Sequence, residues 1–490
     1  MTAFNELMAH QRETGALAQV AGRLGWDQET VMPAGAGDQR AEEQAAMESV
    51  LHARRTDPRI GAWLAAIDAA ALDDEGRAQI RHIRWNYGRA QAIPADLATA
   101  LARLTSRAHQ AWAAARASDD FKGFAPLLAE VVALKREEGA AHGGDPYDAL
   151  LQDYEPGASA AQLGEMFGAL RPRLVTLRAA CLDAPQPAPL TGSFDAGAQM
   201  ALAQRLAGVF GYDFDRGRID KAVHPFSSGS GDDVRITTRT AVDDPLNCIY
   251  STIHETGHAC YEQAIRPAYR LTPLGEGVSM GVHESQSRIY ENQLGRSRAF
   301  TGWLHGAMHE AFGAEVPGGP EAFYRAVNRL ENNFIRTEAD EVQYNLHVLL
   351  RFDLERALIS GDLAVGDLEA AWNDRFKADF GFDVDKPSHG VLQDVHWSAG
   401  LFGYFATYTL GNVYAGCLNE HLRAAVPTLD DQLGAGDLSA ATGWLRENVQ
   451  QYGGLYEPRE VIARACGGAA PSEEPLLRYL EAKFADLYGL

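Results

Sequence analysis

The stretch LGEMFGALRPRLVTL, residues 163–177, indicates how the chain folds. Its apolar side chains recur at steps of three and four residues, which places them along one face of an α-helix. The spacing returns near the end of the chain, where we expect a helix to begin at Ser472 with Pro475 in its first turn. The two apolar stripes consist of Leu163, Met166, Phe167, Leu170, Leu174 and Leu177, and of Leu477, Leu480, Phe484 and Leu487. The fold class is therefore predicted to be mainly α.

Between these stripes the sequence offers little that is typical of β-strands. Alanine, a strong helix former, is abundant, and alternation of apolar with polar residues is scarce. The best strand candidate is Val234–Arg239, which is rich in β-branched residues and follows a predicted loop at Ser227–Gly231. No segment has the long polar composition of an interdomain linker. We therefore expect one large helical domain over residues 1–490, with two lobes around a groove as an open alternative.

The charge balance limits the partners of the protein. Asp and Glu total 66 and Lys and Arg total 44, so the net charge at pH 7 is −22. An acidic surface repels nucleic acid and anionic membranes, and we expect neither as a partner. The five cysteines form no CxxC pair, and the N-terminus lacks the pattern of a secretory signal. These features favour a reducing compartment, so we expect the protein in the cytoplasm.

The segment HETGH, residues 254–258, carries the strongest chemical signal. His254 and His258 are four residues apart, so on a helix both imidazoles can reach one metal ion. Zinc binds neutral imidazole nitrogens at about 2.0–2.1 Å and keeps one position open in catalytic sites. Glu255, beside the first histidine, can take a proton from the attacking water. Motifs of this length also arise by chance, so a helix that binds no metal is the alternative interpretation.

A third ligand has to come from another segment, because no histidine follows His258 at the spacing of a metzincin. The candidate is Glu284, on a second helix packed against the first, which would complete a set of two histidines and one glutamate. Two alternatives stay open at this point. Glu284 could instead pair with Arg288 one helical turn further on, or the neighbouring His283 could be the ligand.

Three further segments are dense in polar and aromatic residues. They are Ile335–Glu341, Gly390–Trp397 and the pair His224–Phe226 with Asp233–Thr237. The HETGH pattern is typical of zinc peptidases. A peptidase needs a hydrogen-bond donor for the oxyanion, and Tyr408 or His396 can serve. A carboxypeptidase also needs a cation for the terminal carboxylate, for which Arg336 and Arg235 are candidates. The alternative is that both arginines form structural ion pairs.

Taken together, these segments resemble the thermostable (Taq-type) metallocarboxypeptidases of the M32 family. The motifs typical of that family are HPF, DxRxT, HExxH, HES/GQ, an Arg-x-x-Ala-Asp block and GxxQDxHW. They occur here in the same order, at His224–Phe226, Asp233–Thr237, His254–His258, His283–Gln286, Ile335–Asp340 and Gly390–Trp397. Earlier segments are also similar, at Trp26–Thr30 with Met32 and Pro33, and at Tyr147–Leu151 with Asp153–Gly157. The resemblance therefore covers nearly the whole chain.

The resemblance implies a helical domain with a deep groove, a small strand element beside the metal, and a homodimer. It implies a cytosolic enzyme that uses Zn²⁺, with Co²⁺ as a substitute, to remove single C-terminal residues from peptides with broad preference. It makes Glu284 the third ligand and Arg336 the leading candidate for binding the terminal carboxylate. It also places further residues in the groove without assigning their roles, namely His224, Asp233, Arg235, His396 and Tyr408.

Two other functions stay open. An oligoendopeptidase would use the same zinc chemistry on internal bonds, and a helical scaffold could bind the metal without catalysis. An amidated peptide C-terminus separates the first from a carboxypeptidase, because only the carboxypeptidase needs the free carboxylate. Metal-dependent release of free amino acids would exclude the scaffold.

Overall fold

Helices dominate the computed structural model, which describes residues 2–490. Several of them begin after a polar residue, such as Thr2, Asp73 or Ser159, whose side chain accepts a hydrogen bond from a first-turn N–H group. The first nine are α1 (Ala3–Thr30), α2 (Gly37–Arg55), α3 (Pro58–Ala66), α4 (Asp74–Ala92), α5 (Ala95–Ser118), α6 (Phe121–Ala141), α7 (Pro146–Leu151), α8 (Ala160–Asp183) and α9 (Ala196–Val209).

The stretch at residues 163–177 lies within α8, as its spacing predicts. Five of its six stripe residues are buried, and Met166 packs against the same core while partly exposed. The predicted mainly α fold class is confirmed.

A three-stranded sheet follows α9. Its strands are β1 (Ile219–Lys221), β2 (Ser227–Ser230) and β3 (Asp233–Thr238), in the order β1-β3-β2. The predicted strand is confirmed as β3, although it begins and ends one residue earlier. The prediction of a loop over Ser227–Gly231 was wrong, because Ser227–Ser230 pairs antiparallel with β3. Serine and glycine take part in this ladder through the backbone, so no alternation of side chains revealed the strand.

The rest of the chain is again helical. A π-helical turn, Ile289–Leu294, directly follows the helix at Met280–Arg288. The helices of this part are α10 (Pro245–Ala264), α11 (Met280–Arg288), α12 (Arg298–Phe312), α13 (Pro320–Val327), α14 (Glu341–Ser360), α15 (Leu368–Phe380), α16 (Ala406–Ala425), α17 (Leu429–Gly434), α18 (Ser439–Asn448), α19 (Pro458–Ala465) and α20 (Glu474–Tyr488). The last begins at Glu474, two residues after the predicted Ser472, and buries its four stripe residues.

Most buried apolar side chains form one large core that extends from α4 to α20. A smaller cluster lies between α1, α3 and α4 and consists of Leu7, Met8, Ile60, Leu64, Ile80 and Ile83. Helix α10 packs against α9, β3 and α11, and α11 lies between α10 and α16. The predicted single domain, with or without two lobes, stays a prediction. Within residues 2–490 no helix has the length and apolarity needed to cross a bilayer.

Candidate metal centre

Helix α10 carries the HETGH segment in its interior. Its first turn is set by Pro245 and by Asp244, whose side chain accepts a hydrogen bond from the N–H of Asn247. Ile249 and Ile253 are fully buried and fix one side of the helix in the core. The two histidines of the segment consequently face away from that side and stay partly exposed.

Three donor atoms meet at one point beside α10. The Nε2 atoms of His254 and His258 lie 3.8 and 3.5 Å from Oε2 of Glu284. Four ligand atoms arranged tetrahedrally at about 2.1 Å from an ion would lie about 3.4 Å from one another. The spacing and chemistry of these donors therefore fit a metal ion held by two histidines and one glutamate.

A glycine allows Glu284 to reach this point. A Cβ atom at Gly257 would lie 2.5 Å from the backbone oxygen of Gln286 and 2.6 Å from the Cα atom of Ser287. Real Cβ contacts are never that short, so α11 can lie this close to α10 only because residue 257 has no side chain. The glycine inside HETGH thus brings the two ligand-bearing helices together.

The geometry bears on both of the alternatives for this segment. Nε of Arg288 donates a hydrogen bond to Oε1 of Glu284 at 2.6 Å, while Oε2 faces the histidines. The ion pair and the ligand position therefore use different oxygens. His283 lies behind His258, with 2.5 Å between their Nδ1 atoms, and its Nε2 lies 2.9 Å from Oε1 of Glu262. His283 is therefore placed to hold His258 instead of lying among the three donors.

His254 has a carboxylate behind it as well. Its Nδ1 lies 2.9 Å from Oε2 of Glu291, which projects from the π-helical turn. A histidine that donates Nδ1–H to a carboxylate presents Nε2 to a metal in a fixed orientation. Sequence reasoning assigned no role to Glu291 or Glu262. The signal that could have found Glu291 was its position seven residues after Glu284, two helical turns further along the same face, with Arg288 between them.

The charges of the centre follow from burial and from these contacts. Burial disfavours the charged form of His254, but Glu284 and Glu291 outweigh it and raise its pKa. Burial also disfavours ionised Glu284, but Arg288 and the histidines outweigh it and lower its pKa. Burial lowers the pKa of His258 to about 3, so this ring is neutral as a ligand must be. Burial raises the pKa of Glu255 to about 7.

A cavity of about 770 Å³ opens at the donor atoms. Glu255 and the three metal-facing residues lie in its wall, together with the aromatic side chains of Tyr344, Tyr404 and Tyr408. Arg336 also lines it and is 5% exposed. The cavity therefore joins the metal centre to a buried guanidinium.

Arg336 belongs to a cluster with an excess of positive charge. Its Nη2 donates to Oδ1 of Asp394 at 2.8 Å, and Nε of the fully buried Arg351 donates to Oδ2 at 2.7 Å. Nη1 of Arg336 donates to the hydroxyl of Tyr344 at 3.1 Å. One carboxylate thus balances two guanidiniums, and both hold its pKa well below the ordinary value despite burial. An anion in the cavity would complete this balance.

The other predicted groove residues lie in different places. Tyr408 lines the cavity, and its hydroxyl lies 3.2 Å from Nε2 of His396. Arg235 pairs with Asp233 at 2.7 Å and lies over the ring of Trp26, with 4.4 Å to the centroid. Among residues 2–490, the cavity wall does not include His224, Asp233, Arg235 or His396, whereas it includes Pro225 and Phe226.

Comparison with known proteins gives the class of this helical protein, which is a metallopeptidase. A model of the carboxypeptidase Taq (M32) metallopeptidase family matches residues 6–484. The chain is 40% identical to thermostable carboxypeptidase 1 of Thermus thermophilus over 99% of each chain. It is 33% identical to carboxypeptidase 1 of Bacillus subtilis over 99% of this chain and 97% of that protein. The chain is also 40% identical to an M32 carboxypeptidase from Deinococcus radiodurans R1. The crystal structure of that protein matches this structure with a TM-score of 0.97 over the whole of both chains.

The chain belongs to the carboxypeptidase Taq (M32) metallopeptidase family, and it is a metallocarboxypeptidase. The resemblance seen in the sequence is thereby confirmed.

Proposed function

We propose that the protein is a zinc-dependent carboxypeptidase of the HExxH-plus-glutamate (gluzincin) type. It removes single residues from the C-terminus of peptides, with broad specificity. The observation that carries this proposal is the cavity that joins the His254, His258 and Glu284 donors to the buried Arg336. Two imidazoles and one carboxylate are a donor set that zinc accepts in catalytic sites, and Co²⁺ can replace it in the same set.

The residues around the donors divide the chemistry between them. When bound, the metal lowers the pKa of water and polarises the scissile carbonyl. Glu255, buried in the cavity wall, takes a proton from the attacking water and returns it to the leaving amine. Tyr408 donates a hydrogen bond to the negative charge that develops on the carbonyl oxygen, and His396 orients its hydroxyl.

Arg336 binds the terminal carboxylate of the peptide and so fixes which bond is cleaved. The excess positive charge around Asp394 favours an anion at this end of the cavity. The broad preference is supported by the mixed cavity wall, where apolar Leu246, aromatic Tyr250 and acidic Glu331 all take part. No single charge or size class of C-terminal residue is selected by such a wall.

We also propose that the enzyme acts on peptides in the cytoplasm as a homodimer, without nucleic acid or a membrane as partner. The five cysteines are all free and buried, which supports a reducing compartment. The net charge of −22 supports the exclusion of polyanions. The homodimer follows from the resemblance of the sequence to the family.

The decisive experiment compares one peptide with a free C-terminus and the same peptide amidated, each incubated with the zinc-loaded protein and followed by mass spectrometry. We expect successive loss of single residues from the free peptide and at least 100-fold slower loss from the amide, which lacks the anion for Arg336 (about 3 kcal/mol). Internal fragments from both peptides would identify an oligoendopeptidase instead. Intact peptides beside bound zinc would identify a non-catalytic scaffold.

A further inference from the structure

The turn Asp153–Gly157 is one of the segments that resemble the family, and it contacts the first turn of α11. Glu155 is fully buried, and its Oε2 accepts a hydrogen bond from the N–H of Gly281 at 3.0 Å. The carbonyl oxygen of Tyr154 accepts one from the N–H of Met280 at 2.9 Å. Both donors are in the first turn of α11, where N–H groups have no partner within the helix. This turn of the chain therefore supplies the partners for the beginning of α11.

Glu155 also connects α11 to α16, a second helix that packs against α11. Its Oε1 accepts a hydrogen bond from the hydroxyl of Tyr414, on α16, at 3.1 Å. The contact with α11 is close, because a Cβ atom at Gly281 would lie 2.6 Å from Oε2 of Glu155. One buried carboxylate therefore fixes both the start of α11 and its position relative to α16.

This position matters because α11 carries Glu284 one turn after Gly281. A rotation or shift of so short a helix would move Oε2 of Glu284 away from the two histidines. Metal–ligand distances tolerate deviations of only about 0.2 Å, so a small movement weakens binding. We propose that Glu155 is a positioning residue of the metal centre, which acts by holding α11 so that Glu284 stays at the ligand position. This inference rests on the proposed role of Glu284 as a ligand.

A purely structural role for Glu155 would also involve burial and helix capping, so stability alone cannot test the proposal. The discriminating quantity is the affinity of the metal-free protein for Zn²⁺, measured by competition with a fluorescent chelator. The thermal unfolding of the same metal-free samples reports any general loss of stability. Glu355 offers a matched control, because it is equally buried and accepts hydrogen bonds from the side chains of Tyr147 and Trp397, neither of which is on α11.

The experiment compares Glu155→Gln and Gly281→Ala with Glu355→Gln and with Glu284→Ala. Gln at 155 can accept only one of the two hydrogen bonds, and Ala at 281 presses on the intact carboxylate from the opposite side. We expect both to weaken Zn²⁺ binding at least tenfold, within the range for residues that orient ligands. Glu355→Gln should change the Zn²⁺ affinity less than twofold, whatever it does to the unfolding temperature. Gly281→Ala tests the same contact if Glu155→Gln does not fold.

The outcomes separate this inference from the proposed function. If both variants bind Zn²⁺ within twofold of the wild type while Glu284→Ala binds far more weakly, Glu155 has only a structural role and the inference is overturned. If Glu284→Ala itself binds like the wild type, the ligand assignment fails, and the inference fails with it. Weakened binding in Glu355→Gln equal to that in Glu155→Gln would also overturn the inference, because general loss of stability would then explain both.

Discussion

The Nδ1 atom of His258 lies 2.5 Å from the Nδ1 atom of His283. Two ring nitrogens can share a hydrogen bond only if one carries the proton and the other accepts it. His258 presents Nε2 to the metal position, so its Nδ1 carries the proton and donates. His283 then accepts at Nδ1 and donates from Nε2 to Glu262, 2.9 Å away. The relay sets the tautomer and the orientation of a metal-facing histidine.

The substitution His283→Phe keeps an aromatic ring of similar size but removes the acceptor. His258 would then bury an unpaired N–H group and lose its fixed orientation. We expect the affinity for Zn²⁺ to fall 10- to 100-fold, measured by chelator competition. His52→Ala, at an exposed position, serves as the control and should bind like the wild type. Unchanged binding in His283→Phe would mean that the relay has no part in holding the metal.

Glu255 provides a test of catalysis separate from binding. Its carboxylate is not among the three donor atoms, so Glu255→Gln should leave the zinc content unchanged. An amide cannot accept the proton of the attacking water, and we expect the turnover number to fall about 10²- to 10⁴-fold. Release of the C-terminal residue and metal content should be measured on the same sample. Near wild-type turnover with zinc bound would remove Glu255 from the role of base.

The sequence was a good guide to what depends on local spacing. The step from His254 to His258 is one helical turn, so their shared face could be predicted without a structure. The choice between Glu284 and His283 could not, because it depends on which side of α11 packs against α10. That packing is set by the close approach at Gly257, which the spacing of residues does not show.

The DxRxT segment shows a second limit. Side chains alternate between the two faces of a strand, and Val234 and Ile236 are both fully buried. Arg235 and Asp233 therefore point to the opposite face, where they pair near Trp26 on α1. The order of the motifs along the chain predicted the family, but it could not say that none of the residues of β3 would lie in the cavity wall.

Metal removal should be visible in the stability of the protein. A ligand that binds only the folded state stabilises the protein by about 4 kcal/mol when its concentration is 1,000 times its dissociation constant. Unfolding entropies of about 2.1 cal/mol/K per residue convert this, for 490 residues, into a rise in Tm of about 4 °C. We expect this rise when Zn²⁺ is added to the metal-free wild type, measured by calorimetry. His258→Ala should show a rise of less than 1 °C, and an equal rise in both would place the metal elsewhere.

The buried Glu355 predicts a dependence of stability on pH. Burial raises its pKa from 4.5 to about 8, although Trp397, Tyr147 and the backbone of Gly403 donate hydrogen bonds to it. Between these two values the unfolded chain releases a proton that the folded chain retains, so rising pH favours unfolding. The contribution of Glu355 is fully present below pH 4.5 and is lost as the pH rises through 8.

Accordingly, we expect the Tm of the wild type to fall between pH 5 and pH 8 more steeply than that of Glu355→Gln, which cannot ionise. Differential scanning calorimetry across this range measures both slopes. Each slope is measured within one protein, so a loss of stability that is the same at every pH does not affect the comparison of the two slopes. Parallel slopes would show that Glu355 is ionised in the folded protein throughout the range.

Arg336 and Arg235 were both candidates for the terminal carboxylate, and the structure allows a matched comparison. The substitutions Arg336→Lys and Arg235→Lys keep the positive charge and remove only the planar fork of donors. Arg336 lies in the cavity wall with excess positive charge, whereas Arg235 is paired with Asp233 outside it. We therefore expect kcat/KM for peptides with a free C-terminus to fall about 10- to 100-fold in Arg336→Lys, equivalent to about 1.5–3 kcal/mol.

The same two variants should be assayed on amidated peptides, where no terminal carboxylate is present. Arg336→Lys should leave the slow cleavage of these peptides unchanged, because the interaction it weakens is absent from them. Arg235→Lys should stay within twofold of the wild type on both substrates. A larger loss in Arg235→Lys than in Arg336→Lys would reverse the assignment. A loss in Arg336→Lys that is equal on free and amidated peptides would show that Arg336 supports the cavity wall without binding the carboxylate.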